Sequence, residues 1–231
     1  MKCYSQVAGF ILAGGASSRM GRDKGLMEFL GVPLIVRMAS LVEPLVATVQ
    51  IVGPLERYKP YGLRVIADKN FGKKEKGGKT LGPLAGIASA LAASSKPWNL
   101  ILASDLPYLT RAWLSWLLAV AVNSQSQVVV PRTHRGLEPL AAVYRRECAA
   151  PIADALKRGV RKVTDALAEF QLQTVEESKW LRIDPEGRVL SNMNTPADYD
   201  EARAWWEANA MKQTKKTKPN RKREAAPRRR K

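Results

Sequence analysis

The 231-residue chain has one histidine, His134, and two cysteines, Cys3 and Cys148. A lone histidine in a polar, arginine-rich stretch provides no Ser-His-Asp set and reads as a surface loop residue. Two cysteines far apart in sequence, with no partner at metal-ligand spacing, leave no zinc site and no disulfide framework, so a reducing cytoplasm is the expected setting. Long apolar runs are missing too. The first, residues 7–12, is cut short by glycines and precedes no small-residue cleavage site, so no signal peptide, anchor or other membrane partner is expected.

The last twenty residues lack aromatics and nearly lack acids. Residues 212–231 carry eleven Lys or Arg against Glu224 alone, a charge of +10 of the total +17. With almost nothing apolar to bury, this tail is expected to be disordered, leaving residues 1–210 as one globular domain. Its charge predicts weak, salt-sensitive polyanion binding without base stacking. A nucleic-acid-binding protein acting through that tail is therefore one reading of the chain. The body keeps only +7, which suits an enzyme handling polyphosphates.

Short, almost wholly apolar runs at residues 7–12, 48–52, 63–66, 100–103 and 128–130 have the composition of strands buried on both faces. Helical spacing lies between them at 33–45, 83–93 and 110–122, the last opening on Thr110 as N-cap. The alternation predicts a single-domain α/β fold, a Rossmann-like three-layer sandwich with a mostly parallel twisted sheet. Beyond Pro131 we expect a strand at 140–144, helices at 147–156 and 162–170, and a hairpin of 180–183 with 188–190 across Pro185-Glu186-Gly187. Thr195-Pro196-Ala197-Asp198 signals a last helix running to about Ala210.

The segment Leu12-Ala13-Gly14-Gly15-Ala16-Ser17-Ser18-Arg19-Met20-Gly21-Arg22-Asp23-Lys24 follows the first strand directly, where an open α/β sheet binds ligands. Gly14 and Gly15 let the backbone approach a phosphate or base, with free amides to meet oxygen anions. Arg19 and Lys24 supply the opposing charge. Four glycines counting Gly25, two internal cations and an acid exceed what a tight turn needs. The spacing fits neither the dinucleotide fingerprint nor the P-loop. Gly77-Gly78-Lys79-Thr80 ends like a Walker motif, but Gly72 lies one residue too far upstream and no strand feeds the loop. Lys73, Lys74, Lys76 and Lys79 form either a mobile basic loop over a polyphosphate cleft or a solvated insertion.

Asp105 closes the 100–103 strand on the same edge as the first loop, the position for a ligand of Mg²⁺, which takes one or two carboxylates plus phosphate oxygens and water. A turn cap before Pro107 is the alternative. Asp68, just past the strand ending at Ile66, faces the same choice. Asn192 and Asn194 offer amides to a metal or a heterocycle, and Glu138, opening a strand, is a candidate for the acceptor side.

Taken in order, Leu12-Ala13-Gly14-Gly15, Arg19-Met20-Gly21, Asp23-Lys24-Gly25, Gly82-Pro83-Leu84-Ala85-Gly86, Asp105-Leu106-Pro107, Glu138-Pro139-Leu140 and Asn192-Met193-Asn194-Thr195-Pro196 resemble the blocks of the molybdenum cofactor guanylyltransferases. The resemblance covers residues 7–205. It implies the nucleotide-diphospho-sugar transferase type of fold and transfer of GMP from GTP to molybdenum-molybdopterin. Leu12, Ala13, Gly14, Lys24, Asp68 and Asp105 would serve the nucleotide, Asp105 also Mg²⁺, and Asn192 and Asn194 the acceptor or metal. Contacts with other molybdenum cofactor biosynthesis proteins or acceptor apoenzymes would follow. A related transferase using CTP or another phosphorylated acceptor remains the alternative within the fold. The long Lys-rich segment 69–80 and the basic tail fall outside the resemblance.

Overall fold

The structure, a computed structural model, describes residues 2–14, 23–68 and 82–216, and the side chains only as far as residue 210. Gly15 and Arg19 of the first loop, the Lys-rich segment with its Walker-like end, and residues 217–231 lie outside the described residues.

In chain order the elements that matter are β1 (Tyr4–Leu12), the 3-10 turn Lys24–Leu26, β2 (Glu28–Phe29), β3 (Val32–Pro33), α1 (Leu34–Val42), β4 (Val46–Val52), α2 (Leu55–Tyr58), β5 (Val65–Ile66), α3 (Pro83–Ala93), β6 (Trp98–Ala103) and α4 (Arg111–Val122). Then follow β7 (Val128–Thr133), β8 (Gly136–Leu137), β9 (Ala141–Arg145), α5 (Ala149–Lys157), α6 (Val163–Leu167), β10 (Leu172–Glu176) and α7 (Pro196–Lys216). The main sheet runs β10-β7-β9-β6-β1-β4-β5, with β8 hanging from β7. β1 pairs in parallel with both β4 and β6, β4 with β5, and β10 with β7, whereas β9 runs antiparallel to β6 and β7.

The sheet is covered on both faces, which is why its strands are apolar at successive positions. Along β1, Val7 and Ile11 face a core shared with Met38 and Val42 of α1, Trp113 and Leu117 of α4 and Ala202 of α7. Ala8 and Phe10 face the other core, with Leu84 and Ile87 of α3, Ile152 of α5 and Leu167 of α6. Three layers result, as expected. α3 occupies the predicted residues with proline at its first turn, and Thr110 caps α4 by accepting from the Trp113 amide at 3.2 Å.

Two expectations are corrected. The 180–190 segment forms turns, not a hairpin: the Ile183 and Asp184 amides both donate back to the Trp180 carbonyl at 2.8 and 3.0 Å, and the Val189 amide to Asp184 Oδ2 at 2.9 Å. Its apolar residues serve packing instead, with Trp180 set against the rings of Trp113 and Trp116 at 6.0 and 5.7 Å. The nearest strand is β10, an edge strand of mixed composition in which only Val175 is buried. The second correction concerns α7, which continues past Ala210 to Lys216 because residues 211–216 are mostly good helix formers and a final helical turn needs no apolar partner.

No helix among the described residues is long and apolar enough to cross a membrane.

Candidate active site

Because β1, β4, β5 and β6 run parallel, their carboxyl ends share one edge, and the residues just beyond them converge there. A cavity of about 340 Å³ opens on this edge. Its wall includes Leu12 at the end of β1 with Ala13 and Gly14 just after it, Asp68 after β5, Gly82 and Pro83 at the start of α3, and Ser104 and Asp105 after β6. Neighbouring backbones lock this rim: the Ala13 amide donates to the Val52 carbonyl at 2.9 Å and the Ser104 amide to the Leu12 carbonyl at 3.0 Å.

Lys24 enters from the far end of the first loop. Its Nζ lies 3.2 Å from Asp105 Oδ2 and donates to Asn194 Oδ1 at 2.6 Å, while Asn192 Nδ2 donates to Asp105 Oδ1 at 3.4 Å. The Met193 amide donates to the Asp105 carbonyl at 2.9 Å, tying the segment before α7 to the end of β6. Lys24, Asp105, Asn192 and Asn194, named separately from the sequence, therefore form one cluster beside the cavity.

Asp68 also lies on the cavity wall, where its Oδ1 accepts a 2.7 Å hydrogen bond from Ser89 Oγ on α3. Partial desolvation raises its carboxyl above the usual aspartate range, and the serine hydrogen bond opposes that rise. Glu138 is not part of the wall. Its Oε1 accepts from Thr133 Oγ1 at 2.9 Å and Arg135 at 3.0 Å, and the same guanidinium reaches the Leu190 carbonyl at 2.7 Å. The neighbouring residue that does line the cavity is Leu140.

Sequence reasoning left two side chains without partners. Asp23, beside Lys24 on the wall, is gripped by Tyr58 and Arg57 of α2, and Ser89 holds Asp68. Neither pairing belongs to a spaced motif.

Among the described residues no three His, Cys, Asp or Glu side chains gather as a metal cluster. One carboxylate flanked by two amides, beside a cavity sized for a nucleotide, nonetheless fits a hard cation that completes its shell with phosphate oxygens and water.

A cavity at a parallel sheet edge, lined by a lysine and a carboxylate held together and joined by amides from the segment before α7, suits a nucleoside polyphosphate, and the family of the chain makes it a nucleotidyltransferase. The chain belongs to the MobA-like NTP transferase domain family, whose model matches residues 9–173. It is 33% identical over 197 residues to a probable molybdenum cofactor guanylyltransferase of Trichormus variabilis, covering 84% of this chain and 89% of that protein. It is 35% identical over 189 residues to the molybdenum cofactor guanylyltransferase of Pseudomonas paraeruginosa, covering 80% and 89%. The fold matches that of molybdopterin-guanine dinucleotide biosynthesis protein A from Archaeoglobus fulgidus with a TM-score of 0.73 at 23% identity, over 87% of this chain and 99% of that one.

Proposed function

We propose that this protein transfers GMP from GTP to the terminal phosphate of molybdenum-molybdopterin, releasing pyrophosphate and forming the guanine dinucleotide cofactor. The observation that carries the reading is the convergence of Lys24, Asp105, Asn192 and Asn194 beside the cavity, in a chain similar over most of its length to proteins named for that activity.

An oxygen of the acceptor phosphate bonds to the α-phosphorus while the bond from that phosphorus to the β-phosphate bridging oxygen breaks. The acceptor is already an anion, so no general base is required. The difficulty is bringing two polyanions together. Leu12, Ala13, Gly14 and Asp68 hold the nucleoside end, the Gly15 backbone adds amides, and Lys24 with Arg19 offsets the phosphate charge. Asp105, with Asn192 and Asn194, would hold Mg²⁺, which would supply positive charge to offset that of the phosphates. Glu138, through Arg135, belongs to the acceptor side with the two asparagines.

We place the catalytic unit in residues 1–210 and treat the basic tail as dispensable for transfer; truncation after Ala210 leaves activity in place. Two free cysteines suit a reducing cytoplasm. The test is incubation with labelled GTP or CTP and each phosphorylated acceptor. Guanylylation of molybdenum-molybdopterin with GTP preferred is the expected result, and preference for CTP or another acceptor overturns the reading.

A further inference from the structure

A carboxylate on the wall of a polyphosphate site repels the substrate unless its charge is engaged elsewhere, and Asp23 lines the same cavity as Lys24. Both of its oxygens are engaged. Oδ1 accepts from the Gly25 amide at 3.0 Å, capping the 3-10 turn whose first residue is Lys24. Oδ2 accepts from the Tyr58 hydroxyl at 2.6 Å and from Arg57 Nη1 at 2.8 Å.

The two partners differ. Tyr58, the last residue of α2, has no exposed surface and belongs to the core that also holds Ile51 of β4, so its hydroxyl is a fixed point. Burial, reinforced by the neighbouring carboxylate, raises its ionisation far above the usual phenol range, so it remains a donor at neutral pH. Arg57 is 44% exposed against 11% for Asp23, and it offsets the carboxylate charge from the solvent side. The carboxylate thus links a rigid part of the core to the backbone turn from which Lys24 reaches Asp105 and Asn194.

We propose that Asp23, held by Tyr58 and Arg57, is a positioning residue for Lys24: Tyr58 fixes the turn that aims the ammonium, and Arg57 removes the charge that would oppose a triphosphate. The inference rests on the reading that Lys24 meets the nucleotide phosphates. Tyr58 and Arg57 then influence transfer without touching the substrate.

The test compares Tyr58→Phe, Arg57→Gln, Arg57→Lys, Lys24→Ala and Tyr58→Phe with Lys24→Ala, reading kcat, KM and GTP affinity by calorimetry. Tyr58→Phe and Arg57→Gln each lower kcat on the order of tenfold, the scale of a lost hydrogen bond to a charged group. Arg57→Lys keeps most of the wild-type rate. In the Lys24→Ala background Tyr58→Phe lowers kcat no further, because the group it aims is gone. Additive losses in that cycle, or wild-type kinetics for Arg57→Gln, overturn the proposal. Should Tyr58→Phe fail to fold, the exposed Arg57 pair still decides. A wild-type protein that neither binds nor turns over GTP refutes the proposed function, whereas an active wild type with additive losses refutes this inference alone.

Discussion

Lys24 Nζ donates to Asn194 Oδ1 at 2.6 Å across 170 residues of sequence, and the same ammonium lies 3.2 Å from Asp105 Oδ2. The candidate site is therefore bounded by the segment that opens the last helix, which joins the first loop to the end of β6. Polar side chains already satisfied by one another are preorganised, and preorganised charge is what stabilises a transferring phosphoryl group.

Removing the ammonium should be costly. Lys24→Ala is expected to lower kcat about 100- to 1000-fold, roughly 2.7 to 4 kcal/mol of barrier, by analogy with loss of one preorganised donor. Steady-state kinetics at saturating GTP check this, and a rate within about tenfold of wild type contradicts the role given to Lys24.

Asp105→Asn keeps the side-chain shape and removes the charge a divalent cation needs. Turnover should collapse at saturating Mg²⁺. In thermal unfolding, GTP with Mg²⁺ should stabilise the variant no more than GTP alone, whereas the wild type gains from the metal. Near-normal turnover with Mg²⁺ rules out Asp105 as the ligand.

How much of this was readable beforehand depended on whether the signal was local. α3 announces itself by Pro83, α4 by Thr110, and the buried strands by uninterrupted apolar residues, all of which act within a few positions. The same logic misread 180–190, where Trp180 is apolar in order to pack against Trp113, a residue of another element. β10 escaped because only Val175 of its five residues is buried. At the site, Gly14, Asp68 and Asp105 are readable as residues just past strands, and Lys24 as a cation in the first loop. The grip of Tyr58 on Asp23 is not, since it joins residues 35 apart through tertiary packing with no spacing rule.

The entry to α7 gives a pH-dependent test. Asp198 Oδ2 accepts from the Asn194 and Thr195 amides at 2.7 and 2.8 Å, and Thr195 Oγ1 accepts in turn from the Asp198 amide at 3.2 Å, a reciprocal cap. These bonds, that from Asn194 foremost, hold the carboxyl below its ordinary value of 3.8. A depressed carboxyl contributes stability that is present above the unfolded value and is lost as pH falls through the folded one. Asp198→Ala should therefore lower the thermal midpoint at neutral pH, and the gap to wild type should close as pH drops below 3.8. A gap that persists unchanged there contradicts a charge-dependent cap. Because Asn194 is held by this cap, the variant should also weaken GTP binding at neutral pH.

The nucleotide wall can be tested where a methyl group has no room. A Cβ on Gly53 would lie 2.5 Å from the Ala13 carbonyl oxygen and 3.2 Å from the Tyr58 ring, and the oxygen belongs to backbone whose amide is already committed to the Val52 carbonyl. The wall at Ala13 and Gly14 must then move. Gly14 has a positive φ of 92° and sits so close to Pro54 that an added Cβ would lie 2.4 Å from its Cδ, so the wall has little slack in which to relax. Gly62 provides the contrast, with a φ of 74° and nothing within 4 Å of an added Cβ. Gly62→Ala should cost about 1 to 2 kcal/mol of backbone strain and leave GTP affinity unchanged. Gly53→Ala should cost about 1 to 3 kcal/mol of overpacking and also reduce GTP affinity by about tenfold or more, because the displaced atoms are those that face the nucleotide. Calorimetric titration of both variants separates the outcomes. Equal GTP affinity in the two would mean that the Leu12-Ala13-Gly14 wall does not hold the nucleotide.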